Sequence, residues 1–169
     1  MIALILALLI GLALISSGLS RRIRHLIHCN QLPMAGHRPG NLDAEIRFVD
    51  RLNGYQFEDY VAWLLTQFGF SQVHQTDKDN DAGLDILAVR HSISYGFQCK
   101  HYRKRKVKRQ TVKHTSDARH YYHVQHVIIV TNAYFSQLAK RDQKFFNVIF
   151  WDRNRLIQLI QRVAGSGYS

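Results

Sequence analysis

Four consecutive β-branched residues, Val127-Ile128-Ile129-Val130, set the first limit on the fold. Successive side chains of a strand point to opposite faces, so an unbroken apolar run leaves no face for water. Such a strand belongs inside a sheet that is covered on both sides. The flanking segments agree: a predicted helix near 110–120 leads into the strand at 124–131, and a second near 136–146 leads into a strand at 148–151. Leu156, Ile157, Leu159 and Ile160 then form a last helix. Strand, helix, strand, helix implies parallel pairing. Upstream, Phe57, Tyr60, Val61, Leu64, Leu65 and Phe68 recur at helical spacing and Gly69 follows, which predicts an amphipathic helix over 56–68. Three short extended segments come next, at 71–77, 84–91 and 95–102, the last two joined as a hairpin by a polar turn around 91–94. The expected fold class is α/β, a mixed β-sheet with helices on both faces.

The first part of the chain obeys other rules. Residues 2–19 are apolar and uncharged, about the length that crosses a ~30 Å hydrocarbon core as a helix. Arg21, Arg22, Arg24 and His25 follow at once. A cleaved signal peptide carries its positive charge before a shorter apolar run, so residues 1–20 are expected to be an uncleaved single transmembrane anchor. The positive-inside tendency then puts the remainder on the cytoplasmic side of the cell inner (plasma) membrane. Residues 21–51, with Pro33, Pro39, Gly36 and Gly40, read as a basic juxtamembrane segment and linker; 52–163 form the folded domain and 164–169 a flexible tail. His25, His28 and Cys29 lack a fourth metal ligand at useful spacing. The two cysteines, Cys29 and Cys99, exclude a disulfide scaffold.

Charge separates the halves. The net charge is +11, yet residues 1–85 hold 7 basic and 9 acidic side chains while the rest hold 16 basic and 3 acidic. Lys100, Arg103, Lys104, Arg105, Lys106, Lys108, Arg109 and Lys113 form a run with no acid between Gln98 and His114. Neutralising a phosphodiester backbone uses such a run directly, with Tyr102 available to stack. An anionic lipid surface is the other polyanion that an anchored protein meets.

The acids and amides suggest chemistry. On the helix at 56–68, Asp59 points away from the apolar stripe, whereas Glu58 lies on its border beside Leu65. In the second extended segment Asp85 shares a face with Leu87 and Val89, an otherwise apolar side. In the third, Gln98 and Lys100 project together, opposite Phe97 and Cys99. An acid, a polar ligand and a lysine on paired strands, with a helix-edge glutamate, can converge on one divalent ion and its water. The acid-rich turn Asp77-Lys78-Asp79-Asn80-Asp81 is not a calcium loop: Ala82 stands where the glycine is needed and Ala88 where the bidentate glutamate is needed. His120, His123 and His126 cross a predicted helix-to-strand boundary and do not form one metal face.

Taken in order, Gly54-Tyr55-Gln56-Phe57-Glu58, Asp81-Ala82-Gly83-Leu84-Asp85, Phe97-Gln98-Cys99-Lys100, Val130-Thr131-Asn132 with Phe135, and Trp151-Asp152-Arg153 resemble the catalytic domain of Mrr-type restriction endonucleases, within the PD-(D/E)xK nuclease fold. The resemblance spans about Leu52 to Ile160. It implies a Mg2+-dependent DNA endonuclease, with Mn2+ able to substitute and a role in defence against foreign DNA. Asp85 would be the main metal ligand, Gln98 the neutral ligand replacing the acid of the wider fold, and Glu58 a ligand through water. Lys100 would orient or activate the attacking water. Arg103, Lys104, Arg105, Lys106, Lys108, Arg109 and Lys113 would meet DNA. Restriction enzymes of this type carry a separate DNA-reading domain, and residues before Leu52 supply a span and tether instead, so the expected partners are a second copy of the chain or a separate DNA-recognition partner, the latter for finding the substrate. The same fold also hosts binding proteins without catalysis, which leaves a DNA tether at the membrane as the alternative.

Overall fold

A computed structural model of the chain describes Met34 and residues 37–76 and 82–166. The expected membrane anchor and most of the juxtamembrane segment lie outside the described residues, as does the turn 77–81. Among the described residues no helix is long and apolar enough to cross a membrane.

The first helix, α1 (Leu42–Arg51), falls where the sequence reading expected linker. Asn41 caps it, its side chain accepting from the Ala44 amide at 2.9 Å, and Asp43 and Glu45 complement the positive end of the helix. Val49 and Glu45 are buried, so this helix is part of the folded unit. A capping box then starts α2 (Gly54–Gln67): Asn53 and Gln56 each accept from the other's backbone at 2.9 Å. Phe57, Tyr60, Val61, Leu64 and Leu65 are almost fully buried along it, and Gly69, at φ +72°, turns the chain out of the helix.

Five strands form one sheet in the order β1 (Ser71–Gln75), β2 (Ile86–Arg90), β3 (Ile93–Lys100), β4 (His126–Thr131), β5 (Ile149–Trp151). The first three pair antiparallel; β3, β4 and β5 pair parallel. The mixed sheet with flanking helices is thus as expected. Val127 to Val130 are at most 2% exposed, which is the coverage their run of side chains demands. His91 and Ser92, at φ 50° and 64°, make the two-residue turn between β2 and β3.

Two cores sit on the two faces. Val127 and Ile129 pack with Leu84, Val107, Val112 and Phe135, under α3 (Arg109–Tyr121). Ile128 and Val130 point the other way, with Phe97 between Phe70 and Trp151 at ring distances of 5.6 Å. The helix expected over 136–146 is broken into α4 (Gln137–Arg141) and α5 (Gln143–Phe146) at Asp142, which takes ion pairs from Arg109 and Arg141. The last helix, α6 (Arg153–Ser166), runs through residues 164–166, where a flexible tail was expected.

Candidate active site

The sheet topology gathers the expected chemistry at one end. β3, β4 and β5 are parallel, so Lys100, Thr131 and Trp151 all lie at their carboxyl ends, where open α/β sheets present ligand-binding loops. β2 runs against β3, which brings its start to the same end: Ile86 faces Phe97, and the preceding Asp85 therefore faces Gln98.

Backbone bonds hold Asp85 from both sides. Its N–H donates to Phe97 O at 2.7 Å and its carbonyl accepts from Thr76 N at 3.0 Å, while the Thr76 hydroxyl donates to Leu84 O at 2.6 Å. Gly83 supplies the bend before it at φ +97°, and a Cβ there would come within 2.6 Å of the His114 ring. The carboxylate oxygen Oδ2 accepts from the Gln98 amide Nε2 and from the Cys99 backbone N–H, both at 2.5 Å. Asp85 is half-buried and Gln98 is 2% exposed, so these charge-assisted bonds form where water competes little. Leu87, on the Asp85 side of β2, packs against the core under α3, so that face is apolar as expected.

Glu58 enters from elsewhere. Phe57 packs on His101 at a ring distance of 5.2 Å, which sets α2 against the Phe97 and Cys99 side of the sheet, opposite Gln98 and Lys100. Burial pushes the Cys99 thiol well above its ordinary range, the charges of Asp85 and Glu58 push it further, and Lys100 pulls it back. Asp59, the other acid of this turn, accepts from Gln75 Nε2 at 2.7 Å and ties α2 to β1.

The donor set suits a hard cation. Asp85 and Glu58 offer carboxylate oxygens and Gln98 an amide oxygen, with the Gln98 nitrogen already turned to Asp85. Among the described residues no group of three His, Cys, Asp or Glu side chains is arranged to hold a metal.

From Lys100 the chain leaves the sheet into the cationic segment. Arg103, Lys104, Arg105, Lys106 and Lys108 are exposed. Val107 in their midst is fully buried, worth about 1.5 kcal/mol or more of apolar transfer, and its backbone exchanges bonds of 2.9 Å with Tyr134 and Ser136. The segment is therefore a pinned loop. Arg109 and Lys113 differ from the rest: Arg109 pairs with Asp142 and lies 5.1 Å over the Phe146 ring, and Lys113 bonds Asp117 at 2.8 Å on its own helix.

The site also has members that role-by-role reading of the sequence missed. Thr131 and Asn132, and Arg153 from the other downstream motif, surround the exit of β3. The Thr131 hydroxyl donates to Lys100 O at 2.6 Å, and Asn132 Oδ1 accepts from Tyr102 N at 2.8 Å. Arg153 clamps Asp50 of α1 with two bonds, 2.6 and 2.7 Å, and donates to Asn132 O at 2.9 Å. The Arg153 guanidinium holds the Asp50 carboxyl below the usual carboxylate range. A signal existed: Thr131 and Asn132 are polar residues directly after a wholly apolar strand.

Comparison with known proteins bears on the fold and the family. The search of curated proteins found no match. Among solved structures the chain is similar to a protein of unknown function, AF1548 (TM-score 0.57, 19% identity, 67% of each chain covered). It is also similar to the DNA modification-dependent restriction endonuclease AspBHI (TM-score 0.59, 18% identity), covering 78% of this chain and 38% of that one. A third similar structure is the MspJI restriction endonuclease in complex with a 27-mer oligonucleotide (TM-score 0.55, 15% identity), covering 78% of this chain and 34% of that one. The matched region thus spans little more than a third of either restriction enzyme, and at these identities the likeness is one of fold. The Mrr_cat model, described as restriction endonuclease, matches residues 49–160 and so takes in Asp50, Glu58, Asp85, Gln98, Lys100, Asn132 and Arg153: the chain belongs to the Mrr_cat restriction endonuclease family.

Proposed function

We propose that the protein is a membrane-anchored, Mg2+-dependent DNA endonuclease of the restriction type that acts against foreign DNA. The observation that carries this reading is the bond from Gln98 to Asp85, two strand positions from Lys100, at the sheet end where the cationic loop emerges. Asp85 and Gln98 would hold Mg2+, or Mn2+ in its place, with Glu58 joining through water. A divalent ion bound there supplies charge to the scissile phosphate and a more acidic water.

The chain's own groups do the rest. Gln98 fixes the orientation of the Asp85 carboxylate through its amide N–H. Lys100 projects from the same face and is suited to orient the attacking water and to steady negative charge growing on the phosphate. Arg103, Lys104, Arg105, Lys106 and Lys108 neutralise backbone phosphates and hold the duplex across the site. DNA bound by the similar MspJI supports DNA as the partner. Residues 2–19, followed by Arg21, Arg22 and Arg24, support an anchor with the domain in the cytoplasm. The protein would act as a homodimer or with a separate DNA-recognition partner that finds the target.

The test is mutational. Asp85→Ala and Lys100→Ala are each expected to abolish cleavage of supercoiled plasmid in Mg2+, a loss of at least about 100-fold, while circular dichroism and duplex retention stay near wild type. Full cleavage by either variant would overturn the proposed site.

A further inference from the structure

We infer that Thr131 and Asn132 are positioning residues: Thr131 sets the place of Lys100, and Asn132 sets the direction in which the cationic loop leaves the sheet. The inference rests on the endonuclease reading and adds to it two buried residues.

The register makes the assignment local. Lys100 and Thr131 are the last paired residues of the parallel β3 and β4 ladder. Thr131 is fully buried, yet it follows four apolar residues and packs a hydroxyl where a methyl would fit. That hydroxyl donates to Lys100 O at 2.6 Å and accepts from Ala133 N at 3.1 Å, closing the ladder with a side chain where backbone pairing stops. Asn132 is 5% exposed and takes the next outgoing amide, that of Tyr102, at 2.8 Å. Between them the His101 ring nitrogen Nε2 lies 3.0 Å from Val49 O on α1.

Three successive residues, 100 to 102, are therefore tied to three different partners before the exposed cations begin. Asn132 is itself held: its carbonyl accepts from Arg153, and its amide nitrogen stands 3.4 Å from Asp50 Oδ1, inside the two-pronged Asp50–Arg153 pair. A lysine at a strand end reaches a reacting atom only as accurately as its own backbone is placed. An error of about 1 Å in such a group costs on the order of 100-fold in rate. The loop, by contrast, acts on affinity, because its charges meet phosphate.

These two actions separate in experiment. The full chain in detergent would be compared with Thr131→Val, Thr131→Ser and Asn132→Ala in three measurements. They are plasmid cleavage in Mg2+, duplex affinity in EDTA across a salt series, and amide exchange over residues 100–106. Thr131→Val is expected to lower kcat about 10- to 100-fold with duplex Kd unchanged, and Thr131→Ser to restore it. Asn132→Ala is expected to raise Kd about three- to tenfold, to flatten the salt dependence and to speed exchange of the Tyr102 amide. Wild-type kcat in Thr131→Val overturns the Thr131 assignment, and so does a loss of turnover that Thr131→Ser fails to restore. Wild-type affinity and Tyr102 protection in Asn132→Ala overturn the other. If the wild-type protein cuts no plasmid, the endonuclease reading fails and the role of Thr131 fails with it. The role of Asn132 is then still decided by affinity and exchange.

Discussion

An amide stands at position 98 where a second carboxylate would crowd Asp85 with like charge. Gln98 donates an N–H instead, so a buried side chain orients the carboxylate and still keeps an amide oxygen for a cation. Asp85, Gln98 and Lys100 were legible from strand alternation, because a period of two assigns faces without knowledge of the partners. Thr131 and Asn132 were legible only as motif letters: what they do depends on β3 lying beside β4, a pairing between residues 31 positions apart. The Asp50–Arg153 pair, 103 positions apart, was out of reach for the same reason. That pair has a pH signature. The Asp50 carboxyl lies below its ordinary 3.8, first because Arg153 hydrogen-bonds it, so its contribution to stability is complete above that value and is lost as pH falls through the lowered one. Urea midpoints at pH 6, 4 and 3 should therefore show Asp50→Asn less stable than wild type at pH 6, with the gap narrowing below pH 4. A gap that stays constant to pH 3 would contradict the assignment.

At the level of elements, helix α2 and the five strand segments followed from apolar spacing, and the departures have local causes. Leu42, Ile46 and Val49 do stand at helical spacing, but they are few and close to Pro33 and Pro39, which weighed toward linker. The helix expected over 136–146 breaks at Asp142, which Arg109 and Arg141 both engage, and an arginine 33 positions upstream leaves no periodic trace. His123, one of three histidines spaced by three, has a backbone explanation: at φ 52° it ends α3 in the left-handed conformation. The β2–β3 hairpin makes a further prediction. His91 and Ser92 both hold positive φ, which costs a non-glycine residue about 1–2 kcal/mol, against about 0.5–1 kcal/mol for the greater freedom of glycine when unfolded. Ser92→Gly should raise the unfolding free energy by about 0.5–1 kcal/mol in a urea titration without altering cleavage. A destabilised Ser92→Gly would mean that the turn is held by side-chain contacts rather than limited by its backbone.

Across the whole molecule, charge and topology point the same way. The half of the chain with 16 basic and 3 acidic residues contributes the strand end that bears Lys100 and the loop that follows it, and the parallel strands bring the Thr131 and Arg153 segments beside that loop. The proposed mechanism and the proposed polyanion binding are thereby joined by one short stretch of backbone, residues 98 to 108. The central claim is that this junction hydrolyses DNA with a divalent ion. Its most direct measurement is the time course of supercoiled plasmid nicking by the wild-type protein in Mg2+, in Mn2+ and in EDTA. The account predicts nicking in both metals and none in EDTA. Salt-sensitive retention of intact plasmid in both metals would contradict it and leave a nuclease fold that binds DNA without cutting it.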